Sequence, residues 1–274
     1  MRALAILLAL VTVVGCSREA DDDPRRTVVA SLYPLAWVAV RVGGEDVRVV
    51  NLTPPGAEPH DVELSPGDVE TIRDADLVVY IGGGLQPAVE EAVETRTGPS
   101  LDVLRPGETD PHVWLDPVRF GLVAREVAAA LGIRDDGRGF SRALAGFLDR
   151  DFRSGLADCE RRTIVTSHAA FGRLAARYGL TQLSLAGRSP ESEPGPRELE
   201  ELIEKVRAAR ATTVFAEPLV SDRVAETVAR EADLAVATLD PIEGLREDRL
   251  DAGEDYLTVM QANLAALREA LGCR

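Results

Sequence analysis

Short β-branched runs alternate with amphipathic helical stretches twice along this chain, once on each side of a long helical stretch. Strand-like runs fall at Thr27 to Leu32, Val47 to Leu52, Leu77 to Ile81 and Leu101 to Leu104. Helical patterns follow at Pro34 to Val42, Ser65 to Asp74, Pro87 to Thr95 and Val118 to Leu131. The rhythm resumes with strands at Thr163 to Thr166, Thr181 to Leu185, Thr212 to Phe215 and Leu234 to Leu239. Helices are expected at Ala170 to Tyr178, Arg197 to Arg210, Asp222 to Glu231 and Tyr256 to Leu271. Such alternation signals parallel α/β units. Between the halves, Arg138 to Asp158 places Phe140, Leu144, Leu148, Phe152 and Leu156 at every fourth position, which makes one apolar face. With an α/β block on either side, this stretch reads as a helix that links two domains and packs against both.

The N-terminus reads as a targeting segment. Met1 and Arg2 supply a short positive region, and Ala3 to Val14 is apolar. That run is shorter than the roughly 20 residues of a spanning helix. It ends in Val13-Val14-Gly15-Cys16, similar to a bacterial lipobox, in which the peptide is cut before the cysteine and a diacylglycerol is attached to its sulfur. Residues 1–16 are therefore expected to be a lipoprotein signal segment, and the polar residues 17–26 a flexible tether. The expected location is extracytoplasmic, anchored to a membrane through Cys16 rather than spanning it. The folded part divides into an N-terminal lobe (27–135), a linker helix (136–159) and a C-terminal lobe (160–274). A net charge of −15 argues against nucleic-acid binding, which wants a basic footprint. Cys159 and Cys273 remain, and outside the cytoplasm a disulfide between them stands open as an alternative to two free thiols.

Only three histidines occur: His60 in Pro-Pro-Gly-Ala-Glu-Pro-His-Asp, His112 in Asp-Pro-His-Val-Trp-Leu-Asp-Pro, and His168 in Val-Thr-Ser-His-Ala-Ala-Phe-Gly. Each lies in a loop beyond the carboxyl end of an expected strand, where open parallel sheets place their ligands. Two come from the first half and one from the second, so a site between the halves follows. Neutral imidazole is the commonest transition-metal ligand, and three with a carboxylate suit zinc. The same strand-end rule offers two carboxylates for the fourth position, Glu217 after Val-Phe-Ala and Asp240 after Ala-Thr-Leu. Binding needs deprotonated imidazoles, so affinity should fall as pH drops through roughly 6.5.

These residues resemble the solute-binding proteins of bacterial zinc and manganese ABC transporters, cluster A-I. The resemblance runs from about Val28 to Leu271. Six phrases carry it in order: Pro-His-Asp-Val-Glu-Leu-Ser-Pro-Gly-Asp, Ala-Asp-Leu-Val-Val-Tyr-Ile-Gly, Asp-Pro-His-Val-Trp-Leu-Asp-Pro, Ser-His-Ala-Ala-Phe-Gly-Arg-Leu-Ala-Ala-Arg-Tyr-Gly-Leu, Phe-Ala-Glu-Pro and Thr-Leu-Asp-Pro. It implies two α/β lobes, each a parallel sheet flanked by helices, joined by one long rigid linker helix with the metal between them. It places His60, His112 and His168 on three ligand positions and Asp240 on the fourth. It gives Glu217 a supporting role behind the ligands, and makes Glu58 a weaker candidate for occasional coordination. Histidine at the third position resembles the zinc branch, whereas glutamate resembles the manganese branch. The physics agrees, since replacing oxygen by nitrogen moves preference from Mn²⁺ toward Zn²⁺. Against that, Arg105 to Thr109 is short and lacks the histidine-rich acidic loop that many zinc-specific members carry before the second ligand.

The expected function is capture of Zn²⁺, ahead of Mn²⁺, as transported ligand and its delivery to an ABC-transporter permease driven by its ATPase, by a protein expected to be a monomer. The rival reading is a zinc hydrolase, with water in an open fourth position and Glu217 as base. No H-E-x-x-H helix and no nucleophile constellation supports it, so no enzyme is expected. A surface adhesin on the same fold is the third reading. Trp114 and Phe171 are expected to pack around the site. Gly82-Gly83-Gly84 lacks the following G-K-[ST] of a phosphate loop and reads as a strand-ending turn.

Overall fold

The computed structural model describes residues 23–133, 137–187 and 194–274. The expected signal segment, its Cys16 and residues 17–22 of the tether lie outside the described residues. The first half is a four-stranded parallel sheet of β1 (Arg26–Ala30), β2 (Val47–Asn51), β3 (Leu77–Tyr80) and β4 (Ser100–Asp102), in the order β2-β1-β3-β4. Its connections run through α1 (Tyr33–Gly43), α2 (Pro66–Asp74) and α3 (Pro87–Glu94). The central strand β1 has no polar face: Val28, Val29 and Ala30 are all fully buried, as expected of a parallel sheet covered on both sides. Ser65 caps α2 in a reciprocal capping box with Asp68, and Pro66 takes the first helical position, where its missing N–H costs nothing.

The second half repeats the plan with β5 (Thr163–Thr166), β6 (Thr181–Ser184), β7 (Thr213–Ala216) and β8 (Ala235–Thr238), parallel throughout and ordered β6-β5-β7-β8. In both sheets the chain steps from the first strand to one side and then returns to the other. A crevice therefore opens at the carboxyl ends, between β1 and β3 in one sheet and between β5 and β7 in the other.

Between the sheets run α4 (Pro117–Ala130), capped by Asp116, and a second helical segment. That segment is α5 (Arg138–Leu144), one π turn (Ala145–Asp149) and α6 (Arg150–Gly155). Leu144, Leu148, Phe152 and Leu156 are buried in one apolar cluster, which contains Val28 and Phe120 of the first half and Ile164 and Phe171 of the second. The remaining helices are α7 (Gly172–Tyr178), α8 (Pro196–Ala208), α9 (Arg223–Ala232), α10 (Glu247–Asp251) and α11 (Tyr256–Leu271). Cys159 and Cys273 are joined by a disulfide across 114 residues of sequence, beside an isolated antiparallel bridge between the same two residues.

Candidate metal centre

The three histidines arrive from three loops and meet at one point. His60 lies in a short 3-10 turn, Pro59–Asp61, which follows β2 and is capped by Glu58: the Glu58 carboxylate accepts the His60 backbone N–H at 3.2 Å. His112 precedes a similar turn, Val113–Leu115, beyond β4. His168 stands two residues past β5, beside the switch-point crevice of the second sheet. Its carbonyl is held by the Thr166 hydroxyl (2.7 Å) and the Gln182 amide (2.9 Å). His112 and His168 are fully buried.

The fourth member of the cluster is Glu243. Its Oε1 lies 3.5 Å from His60 Nε2, 3.2 Å from His112 Nε2 and 3.3 Å from His168 Nε2. A tetrahedron with Zn–N and Zn–O arms of about 2.0–2.1 Å has edges of about 3.3–3.4 Å. The three nitrogen–oxygen separations thus match edges of such a tetrahedron, and all four ligand atoms lie within 4.8 Å of one another. Among the described residues, Nε2 of His60 and of His112 are buried without a well-formed hydrogen bond. Both lie against the same oxygen, Glu243 Oε1, as does His168 Nε2.

Carboxylates behind two of the rings fix their orientation. Asp110 Oδ1 is 2.8 Å from His112 Nδ1 and also accepts the His112 backbone N–H at 3.0 Å. Glu217, at the end of β7, accepts the His168 backbone N–H at 3.0 Å through Oε1 and lies 2.5 Å from His168 Nδ1 through Oε2. With Nδ1–H donated backward, the Nε2 lone pair faces the centre, the usual arrangement behind a ligating histidine. Burial opposes charge on His168, but hydrogen bonds to Glu217 and Glu243 and their negative charges outweigh it and push its pKa up to about 10. His112 is raised too: burial works against the proton, and Asp110 and Glu243 hold it. Glu243 goes the other way, because its bonds to His112, His168 and His60 overcome burial and hold it well below the usual carboxylate range.

Asp240 does not stand in this cluster, and the expectation that it is the fourth ligand is corrected by its surroundings. Its Oδ2 meets Arg249 Nη1 at 2.6 Å and its Oδ1 accepts the Ile242 backbone N–H at 2.7 Å. Asn263 of α11 clamps its backbone from both sides, donating to Asp240 O (2.7 Å) and accepting from Asp240 N (2.9 Å). Both carboxylate oxygens are engaged in shaping a turn. Glu58 is likewise placed as a cap and not in the cluster, and Glu217 is placed behind His168.

Sequence reasoning missed Glu243 because it looked for carboxylates directly at strand ends. Glu243 comes five residues after β8, and the chain reaches it through Ile242 in the left-handed region (φ 57°). A β-branched residue there is an outlier costing about 1–3 kcal/mol, held by its surroundings. Asp110 was also missed, although the sequence carries a signal for it: an acid two residues before a histidine can reach back to that ring. Trp114 and Phe171 are buried as expected, and Trp114 does more than fill space. Its ring lies edge-on to His112, its Nε1 donates to Pro241 O at 2.6 Å, and its carbonyl accepts from Tyr256 Oη at 2.5 Å.

Two parallel-sheet halves meeting around a buried imidazole–carboxylate cluster make the arrangement of a two-lobed solute-binding protein. Residues 28–270 match the ZnuA family, described as zinc-uptake complex component A, periplasmic, and the chain belongs to that family. The zinc-binding lipoprotein AdcA of Streptococcus pneumoniae serotype 4 is 32% identical over 307 residues, covering 98% of this chain. The chain spans 61% of the length of that relative. Among solved structures, the laminin-binding protein Lmb of Streptococcus agalactiae, described as bifunctional with adhesin and metal-transporting activity, superposes with a TM-score of 0.81. It has 32% identity, with 90% of this chain and 99% of that one covered. The Zn(II)-bound ZnuA-like domain of Streptococcus pneumoniae AdcA superposes with a TM-score of 0.76 at 31% identity, with the same shares covered.

Proposed function

We propose that this protein captures Zn²⁺ between its halves with His60, His112, His168 and Glu243 and passes it to the permease of an ABC transporter. The carrying observation is the convergence of three Nε2 atoms on one Glu243 oxygen at 3.2–3.5 Å. Three nitrogens and one oxygen suit Zn²⁺ better than Mn²⁺, which favours an oxygen-rich shell. A carboxylate at the fourth corner also separates carriage from hydrolysis, since a catalytic zinc keeps that position for water. The names of AdcA and of the Zn(II)-bound domain support zinc as the cargo. The lipoprotein name of AdcA supports an extracytoplasmic position held by lipid on Cys16. The four ligands all come from one chain, so the centre is complete without a second copy. Adhesion is said of Lmb alone among the relatives named above.

The test is competitive loading. Protein beginning after Cys16, stripped by chelator and dialysed against equal limiting Zn²⁺ and Mn²⁺, is expected to retain about one zinc per chain by mass spectrometry. Preferential retention of manganese, or of no metal, overturns the reading.

A further inference from the structure

Beside the centre, Arg173 fastens the second half to the first. Arg173 belongs to α7, which begins four residues after His168. Its Nε donates to the Asp110 carbonyl at 2.8 Å, its Nη2 donates to the same carbonyl, and its Nη1 donates to Glu108 Oε1 at 3.1 Å. Glu108 is shared with Arg119 of α4 at 3.2 Å, so this corner of the first half is itself braced. Arg177, one turn further along α7, meets Asp116 Oδ2 at 2.6 Å and ties the cap of α4 to the same helix. Asp110 is the residue whose carboxylate holds both the ring and the backbone N–H of His112. The contact is also close in backbone terms: a Cβ on Gly172 would stand 3.0 Å from Asp110 Oδ2, so glycine lets α7 approach.

We propose that Arg173 is a positioning residue for His112: it pins Asp110 from the opposite half and so sets His112 against His168 at the spacing zinc needs. Arginine suits the task because its planar fork delivers several donors in fixed relative geometry. The fork takes the backbone oxygen of Asp110, which leaves Oδ1 to the imidazole. His168 and Arg173 share one loop–helix unit of the second half, so its placement is transmitted to His112 without contact between Arg173 and the metal. This inference rests on the zinc-site reading above.

A double-mutant cycle on the full mature chain tests it, with zinc affinity read by competition against a chromogenic chelator. Arg173→Met is expected to weaken zinc by about 10–100-fold, the usual loss for a partner behind a metal ligand. Arg173→Lys should recover only a small part of this, since an ammonium cannot reproduce the fork. In a His112→Ala background, Arg173→Met should have no further effect. Co²⁺ loaded in place of zinc should show an altered visible spectrum in Arg173→Met, which a loss of global stability alone would not produce. If Arg173→Met does not fold, Arg173→Lys carries the same cycle. Wild-type affinity in the Arg173 variants, or an equal loss with and without His112, overturns the proposal. Unchanged affinity in His112→Ala alone overturns the zinc-site reading itself, and this inference with it.

Discussion

Asp240 Oδ1 accepts the backbone N–H of Ile242 at 2.7 Å, and the next residue along is Glu243. One carboxylate thus builds the left-handed turn that presents another. Glu243→Ala is expected to weaken zinc by more than about 100-fold, above the range for residues behind the ligands. Asp240→Asn keeps the turn acceptor but breaks the charge pair with Arg249, and should lose less, about tenfold. Chelator competition on the two variants decides between them, and a larger loss for Asp240→Asn would restore Asp240 as the ligand.

Glu217 holds His168 at two atoms, the backbone N–H and Nδ1. Glu217→Gln preserves shape but removes the charge, so affinity is expected to fall about 10–100-fold with one zinc per chain retained. Calorimetric titration measures both quantities. A loss of stoichiometry would mean that Glu217 binds the metal itself.

Zinc must displace protons that the site holds firmly. With the His168 pKa pushed up to about 10, well above the ordinary 6.5, affinity should keep rising from pH 6 to pH 9 rather than levelling off near 7. Stability of the metal-free protein has the opposite slope. The raised His168 pKa contributes stability that is complete below about 6.5 and is lost as pH rises toward 10. Titration calorimetry in buffers of different ionisation enthalpy should find at least one proton released per zinc at pH 7.5. Zero release would contradict the protonated imidazole.

The halves are joined by contacts that do not pass through the ligands: Trp114 to Pro241, Arg177 to Asp116, and Trp37 and Arg41 to Asp255. Solution scattering with and without zinc is therefore expected to show a change in radius of gyration of no more than about 1 Å, the scale of pre-organised complexes. A compaction of several ångströms would show that the halves swing.

Much of this was legible in the sequence because burial writes itself into composition. Val28 to Ala30 and Leu77 to Val79 read as strands because nothing polar can sit in a sheet covered on both faces. The histidines were legible as a set because loops past parallel strands converge in space. Glu243 was not, since its direction depends on a positive φ at Ile242, which no propensity predicts for a β-branched residue. Asp240 misled for the matching reason: a strand-end aspartate before proline looks the same whether it turns outward to a metal or inward to Ile242 N–H and Arg249. The π turn at Ala145–Asp149 was invisible because the every-fourth-residue apolar spacing continues through it from Leu144 to Leu148.

The bridge between Cys159 and Cys273 makes residues 160–272 a closed ring hung from the end of α6. Both His168 and Glu243 lie on that ring. A protease that nicks any one exposed bond within it releases no fragment, because each new end stays tethered through the sulfurs. Two cuts are needed to shed a piece, so a singly clipped molecule keeps both groups on one covalent body until a reductant opens the ring.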